Sequence, residues 1–110
     1  MMDRRVVITG MGIYSCIGKN ISEVAESLYK GQSGIVIDET RKEYGYRSPL
    51  TGYVKHPQLK GILERRLRIS LAEESEYAYL ATLEAMQNAG IDEDFAKAQE
   101  IGIFYGNDSS

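Results

Sequence analysis

The stretch RVVITGMG, residues 5–12, decides the fold that this sequence predicts. Residues 6–9 are a short run of apolar and β-branched side chains, and Gly10 and Gly12 follow the run directly. Short apolar runs that end in turn-forming residues are typical of strands buried within a sheet. We therefore predict a core strand over residues 6–9, with the two glycines in a tight turn behind it.

A helix is predicted after this strand. Asn20 stands three residues before Glu23, which is close to the capping-box pattern, and apolar residues then recur at helical spacing. The predicted helix runs over residues 21–30, and Gly31 follows it as a residue free to adopt a positive φ. Strand, loop and helix thus follow one another in the order of a parallel α/β unit.

A longer helix is predicted over residues 72–89. Its first turn is acidic, which suits the positive end of the helix dipole. A stripe of small residues, which lets a neighbouring element approach closely, follows one face: Ala78, Ala81, Ala85 and Ala89. Gly90 and Ile91 follow in the Schellman arrangement, and Asp92 is placed to cap a further short helical turn.

The stretch between the two helices is irregular. Residues 35–66 contain many turn formers and no long apolar period, so we predict an insertion with short strands at residues 35–37 and 51–54. A second apolar run, residues 101–105, ends at Gly106 and predicts another core strand. Strands at both ends with helices between them imply a right-handed crossover that joins two parallel strands of one sheet.

The predicted fold class is therefore α/β, with a modest core. Two parallel strands alone leave sheet edges unpaired on both sides, and native proteins usually pair or cover such edges. The helix that normally follows a strand of this kind would begin only after residue 110. We therefore expect a fragment of a larger domain, or a chain that requires a partner.

The composition excludes several classes of protein. The 110 residues correspond to about one domain, and 43% hydrophobic with 26% charged residues is typical of a globular chain. A net charge of −3 and a pI near 5.2 disfavour binding to nucleic acid or anionic lipid. The single cysteine excludes an intrachain disulfide. The first residues do not match a signal peptide and no apolar run is long enough to span a membrane, so we expect neither. We expect a cytoplasmic protein.

Two glycines behind a strand also suggest a dinucleotide-binding unit, and Asp38 stands further along the chain. The G-x-G-x-x-G fingerprint requires a third glycine where this chain has Ser15. It also requires a helix that begins at the glycines, so that the helix N-terminus meets the pyrophosphate. Helical spacing begins here only after Asn20. A tight turn at Gly10 and Gly12 is the favoured interpretation, and dinucleotide binding stays as an alternative.

Cys16 and His56 are the only residues of their types. A thiolate nucleophile needs a base within reach, commonly a histidine, and nothing in the sequence brings these two residues together. We expect Cys16 to be a small buried residue and His56 to lie at the surface. A metal site is not expected, because no second cysteine or histidine completes a coordination shell.

Several segments resemble the N-terminus of the β-ketoacyl-acyl carrier protein synthases, in the same order and at the same spacing. They are RVVITGMGI (5–13), SCIG (15–18), GQSGI (31–35), RS (47–48), GYV (52–54), NAGI (88–91) and IGIFYG (101–106). Each segment alone is weak evidence, but together they cover nearly the whole chain. Within this family the chain looks most like the bacterial type I elongating synthase.

The resemblance implies a thiolase-like fold of two related α/β halves that works as a homodimer. This chain, residues 1–110, would supply the first strand, the first helices and the second strand of the first half. The implied reaction is acyl transfer: an acyl chain is condensed with malonyl-carrier protein, and carbon dioxide is released, in fatty-acid or polyketide synthesis. The implied partners are acyl carrier protein and a second copy of the protein.

The resemblance assigns no catalytic residue to this chain. In the family a cysteine takes the acyl group, two histidines assist decarboxylation, and backbone amides form an oxyanion hole. None of these groups corresponds to a position in residues 1–110, and Cys16 is not at the position of the family's nucleophile. No cofactor and no metal are implied. The 110 residues alone are therefore expected to have no condensing activity.

Position 109 is the place where the resemblance implies contact with substrate. In the family the loop after the second strand borders the acyl pocket near the dimer interface, and Ser109 corresponds to part of the pocket wall. The loop here, residues 107–110, is polar where the family usually has Ser-Gly and further glycines. This difference leaves open an altered substrate, or a catalytically silent partner subunit of the chain-length-factor kind.

A basic cluster of three arginines, Arg65, Arg66 and Arg68, has two interpretations. Such a cluster most often solvates the start of a helix. It would also suit docking of an acidic carrier protein. The first interpretation is favoured on the sequence alone.

Overall fold

Five helices and one two-stranded sheet form the regular structure of residues 3–108, the part of the chain that this computed structural model describes. The elements in chain order are α1 (Ile21–Lys30), β1 (Ile35–Ile37), α2 (Glu39–Glu43), β2 (Leu50–Gly52), α3 (Arg65–Arg68), α4 (Glu73–Ala89) and α5 (Glu93–Ala98).

Helix α1 forms where the sequence predicts it. The Asn20 side chain accepts a hydrogen bond of 2.9 Å from the amide of Glu23, which satisfies one of the unpaired donors of the first turn. At the other end Gly31 adopts φ 64°, and the amide of Gln32 donates to the carbonyl of Ser27 at 2.9 Å. Both ends of the helix are therefore fixed by local signals, as predicted.

Helix α4 and the turn behind it also confirm the prediction. Gly90 adopts φ 73°, and the amide of Ile91 donates to the carbonyl of Met86 at 2.9 Å, which is the Schellman hydrogen bond. The Asp92 side chain then accepts a hydrogen bond of 2.8 Å from the amide of Phe95 and begins α5. Local capping chemistry thus places both helices.

The irregular stretch contains a hairpin. Strands β1 and β2 pair antiparallel, with Ile35 opposite Gly52 and Ile37 opposite Leu50, and α2 lies between them. The first short strand has the predicted bounds, whereas the second covers residues 50–52 instead of 51–54.

The predicted core strands over residues 6–9 and 101–105 are wrong. Neither segment forms a strand, and Val6 and Phe104 are 97% and 94% exposed. The sheet of the described residues is the antiparallel hairpin, so the predicted parallel pair and its crossover are absent there. The physical reason is that parallel strands are stable only in sheets whose two faces are both covered. These residues supply the apolar runs without that cover.

The expected modest core is also wrong for the described residues. Leu59, which is 4% exposed, and Pro57 are the buried apolar residues of this part of the chain. The radius of gyration is 17.7 Å, against about 13 Å for a compact chain of this length. The structure is therefore an open one, held by particular contacts instead of a central core.

The tightest of these contacts joins the glycine segment to α4. A Cβ atom on Gly12 would overlap the carbonyl oxygen of Ala81, and one on Gly10 would overlap the backbone of Ala85 and Ala89. Neither glycine has a positive φ. The prediction that they serve a tight turn is therefore wrong: they let the backbone lie directly on the alanine stripe.

Two polar side chains of α4 fix the same segment. Asn88 Oδ1 accepts a hydrogen bond of 3.1 Å from the amide of Met11. The carboxylate of Glu84 accepts two: one of 3.0 Å from the amide of Ile13, and one of 2.9 Å from the amide of Ile21 at the first residue of α1. Helix α4 thus holds both the glycine segment and the N-terminus of α1.

Substitution of Gly12 by alanine tests this contact. The added methyl group would overlap the carbonyl oxygen of Ala81, so the segment must leave the helix, and we expect Gly12→Ala to lower the free energy of unfolding by about 1–3 kcal/mol. The matched control is Gly106→Ala, where a Cβ atom meets nothing within 4 Å. Urea denaturation measures both variants, and equal stability of the two would contradict the contact.

Candidate functional site

An apolar groove runs along α4 and is closed on one side by residues 101–107. It consists of two adjoining parts of about 570 and 500 Å³. The hydroxyl of Tyr105 donates a hydrogen bond of 2.8 Å to the carbonyl of Ala78 and ties this segment to the helix. The lining of the first part is mostly small and aliphatic and includes Ala85, Met86 and Ile103. The second part also has polar residues, among them Ser75 and Thr82. The shape and the lining suit apolar groups.

The predicted pocket residue Ser109 lies outside the described residues. Asn107, two positions before it, lines the edge of the second part of the groove.

Cys16 packs against the hairpin. A Cβ atom on Gly34 would overlap the backbone and sulfur of Cys16, and one on Gly52 would lie 3.3 Å from its Sγ. The residue is half-buried, which is less than the small buried residue that the sequence predicts. Its small size fits the space between two glycines, which is a packing role.

His56 does not meet Cys16. Its Nε2 lies 3.3 Å from Oε2 of Glu76 in the first turn of α4, and its side chain is exposed, as predicted. No hydrogen bond among residues 3–108 joins the imidazole to the thiol. The structure therefore forms no Cys-His pair.

Two tyrosines join the loop before α1 to α4. The rings of Tyr14 and Tyr77 stack with centroids 5.4 Å apart and planes within 11°. The hydroxyl of Tyr14 donates to the carbonyl of Lys55 at 2.7 Å, and that of Tyr77 donates to Oε1 of Glu73 at 2.5 Å. Sequence reasoning missed this contact, because the two tyrosines stand 63 positions apart.

Both phenols are held in the protonated form. The hydrogen bond to Glu73 raises the pKa of Tyr77 to about 12, with smaller contributions from burial and from the charges of Glu73 and Glu76. Burial, and then the charge of Glu23, raises the pKa of Tyr14. At neutral pH these hydroxyls therefore act as hydrogen-bond donors and not as bases.

The three arginines divide between two roles. Arg68 is half-buried and donates from Nε to the carbonyl of Leu63 at 3.1 Å, which is a structural contact at the turn before α3. Arg65 and Arg66 are exposed, and no ion pair within residues 3–108 involves them. Two guanidinium groups are thus presented to solvent on one short helix.

The N-terminus of α1 is already occupied by protein groups. Glu84 accepts the amide of Ile21, and Asn20 accepts that of Glu23. These are donors that a dinucleotide pyrophosphate would need. Because Gly10 and Gly12 also lie against α4, the structure disfavours the dinucleotide alternative.

Glu84 is the polar residue that sequence reasoning missed. It lies three residues after Ala81 and four before Asn88, on the edge of the small-residue stripe. The signal that could have identified Glu84 is a single carboxylate on the edge of an otherwise small, apolar helix face. Such a carboxylate can accept hydrogen bonds from several backbone amides.

Within residues 3–108, no group of three or more His, Cys, Asp or Glu side chains is arranged to hold a metal ion. The helices described are all too short or too polar to cross a membrane.

Comparison with known proteins gives a consistent result. A family model described as "Beta-ketoacyl synthase, N-terminal domain" matches residues 3–110. The chain is 42% identical over 108 residues to 3-oxoacyl-[acyl-carrier-protein] synthase 1 of Buchnera aphidicola subsp. Acyrthosiphon pisum, covering 97% of this chain and 26% of that protein. It is 36% identical over 105 residues to the synthase 1 of Escherichia coli K12, covering 94% and 26%.

A more distant relative is 3-oxoacyl-[acyl-carrier-protein] synthase 2 of Vibrio cholerae, 28% identical over 107 residues, with 97% of this chain and 26% of that protein covered. The chain therefore spans about a quarter of the length of the curated relatives that it matches.

The raised pKa of Tyr77 gives a pH-dependent prediction. Since the folded pKa of about 12 lies above the ordinary value of 10.0, the hydrogen bond to Glu73 stabilises the fold below pH 10, and this contribution is lost as the pH rises towards 12. We expect Glu73→Gln to move the titration of Tyr77, followed by NMR, back towards the ordinary value. Glu93→Gln, an exposed control on α5, should leave it in place. An unchanged titration in Glu73→Gln would contradict the assignment.

Proposed function

The chain belongs to the β-ketoacyl synthase family, matching the N-terminal domain of that family over residues 3–110, and we propose that it is part of a condensing enzyme of fatty-acid synthesis. The proposed reaction transfers the acyl group of an acyl thioester to malonyl-carrier protein: the acyl donor's thiol and carbon dioxide are released, and a 3-oxoacyl-carrier protein is formed. The observation that carries the proposal is the match along the entire described chain. The names of the relatives, 3-oxoacyl-[acyl-carrier-protein] synthases 1 and 2, support it.

We propose the thiolase-like α/β fold for the whole domain. Residues 1–110 would form the N-terminal part of its first half, with an insertion at about residues 35–66. The apolar runs at 6–9 and 101–105, exposed among the described residues, have the composition of strands buried on both faces. They would join a parallel sheet when further strands and helices cover them.

The role of this chain in the reaction is that of a scaffold. The chemistry needs a thiolate that attacks an acyl thioester, and then donors that stabilise the enolate formed by decarboxylation. Cys16 packs between two glycines, and His56 contacts Glu76 instead of the thiol. The groups that react with substrate would therefore come from elsewhere in the enzyme.

Acyl carrier protein is the proposed partner, and a second copy of the enzyme is another. Arg65 and Arg66 support the first assignment, because two exposed arginines on one helix form bidentate hydrogen bonds with carboxylate or phosphate groups of an acidic partner. Charge complementarity of this kind chiefly accelerates association. The homodimer and the cytoplasmic location follow from the family and remain proposals.

The direct test is a condensation assay. A protein that carries these residues at the full length of the curated relatives should form a 3-oxoacyl product from acyl- and malonyl-carrier protein, whereas the 110-residue chain alone should form none. Mass spectrometry of the carrier-bound products measures both. A full-length protein that dimerises but does not condense would identify the silent partner subunit and overturn the proposal. Turnover by the 110 residues alone would overturn the scaffold role.

We also propose that Ser109 forms part of the acyl-pocket wall. Support comes from its position after the segment that closes the apolar groove, whose edge Asn107 lines. In the full-length enzyme Ser109→Phe should shift the acyl-chain preference towards shorter chains, because a larger side chain shortens the pocket. Competition between acyl-carrier proteins of different length measures the preference. An unchanged preference would count against this position.

A further inference from the structure

The segment of residues 53–59 rests on the first turn of α4 through neighbouring contacts. The hydroxyl of Tyr14 donates to the carbonyl of Lys55, and the ring of Tyr14 stacks on Tyr77. The imidazole of His56 lies against the carboxylate of Glu76. The first two contacts do not depend on pH near neutrality, since the phenols are protonated there. The third does, because a histidine changes its charge between about pH 5 and 8.

Glu76 makes the third contact unusual. Its side chain is 14% exposed, and its Oε2 is fully buried without a hydrogen bond among the described residues, although Nε2 of His56 is 3.3 Å away. The distance is within reach of an ion pair, but the two atoms form no hydrogen bond. A buried carboxylate oxygen without a donor is costly to the fold. A positive charge on His56 would reduce that cost.

We propose that His56 and Glu76 form a pH-sensitive clasp that holds residues 53–59 on α4. When His56 is protonated, the imidazolium pairs with the buried carboxylate and the clasp closes. When His56 is neutral, the ion pair is lost, and the hydrogen bond from Tyr14 to Lys55 and the buried residues Pro57 and Leu59 still hold the segment. His56 is the single histidine of the chain.

The elements that these contacts join carry further titratable and charged side chains. Those that line the two adjacent surface clefts include Tyr14, Glu23, Asp38, Lys55, Glu73, Glu74 and Tyr77.

The segment that the clasp holds leads into the rest of the insertion. Pro57 and Leu59, both buried, follow His56 directly, and α3 with its exposed arginines follows them. Opening of the clasp therefore loosens a short segment without removing the buried anchor beyond it. The device is independent of the proposed catalysis and concerns the conformation of this chain.

Amide hydrogen exchange tests the clasp. We expect amides of residues 53–58 to be about two- to fivefold better protected from exchange at about pH 5.5 than at about pH 8, after correction for intrinsic exchange. The expected factor is small because an ion pair with an exposed partner contributes little to stability. Amides of α1 serve as the internal reference and should not show this difference. His56→Gln and Glu76→Gln should both abolish the difference, while Glu74→Gln, which removes a neighbouring exposed carboxylate, should keep it.

Each alternative outcome overturns the clasp. Equal protection at the two pH values in the unmodified chain would show that His56 does not hold the segment. A difference that persists in Glu76→Gln would assign the response to another acid. A difference that extends equally to α1 would show a change in overall stability instead of a local device.

Discussion

The close approach of the glycine segment to α4 is the constraint on which the rest of the structure depends. Only backbone without side chains at positions 10 and 12 can lie on the alanine stripe. Once the segment lies there, Asn88 and Glu84 are within reach of its amides, and Glu84 also reaches the first turn of α1. The same helix contacts three further side chains. Near its N-terminus, Tyr77 stacks on Tyr14 and Glu76 lies beside His56, and further along the carbonyl of Ala78 accepts a hydrogen bond from Tyr105. Helix α4 is thus the centre of a structure that has almost no core.

Local chemistry made part of this fold predictable from sequence. Asn20, Gly31, Gly90 and Asp92 each act within a few residues, so their signals are complete in the sequence, and the structure confirms them. The strands at 6–9 and 101–105 failed because pairing needs partners and cover that a local pattern does not contain. The sequence predicted that Gly10 and Gly12 form a tight turn, whereas in the structure they pack against the backbone of α4. The alanine stripe predicted close packing, but not the segment that packs there.

The candidate site follows the same division. The sequence predicted that Cys16 and His56 would not form a reactive pair, and the structure confirms their separation, with a glycine neighbour for one and Glu76 for the other. The sequence left two interpretations of the three arginines open, and the structure shows that they differ. Arg68 donates a hydrogen bond to a backbone carbonyl, whereas Arg65 and Arg66 are exposed to solvent. The chain belongs to the β-ketoacyl synthase family, and the absence of a Cys-His pair among the described residues agrees with the scaffold role proposed for them.

The measurement closest to the central claim is the nuclear Overhauser effect between the α protons of Gly10 and the methyl group of Ala89, with selective labelling of alanine. A Cβ atom on Gly10 would lie 2.8 Å from the Cβ atom of Ala89, so direct contact of the backbone with the helix predicts a strong signal between them, and weaker or no signals to alanines on other faces. If the α protons of Gly10 show no signal to this methyl group while α4 remains helical, the glycine segment does not rest on the helix, and the account of this structure is contradicted.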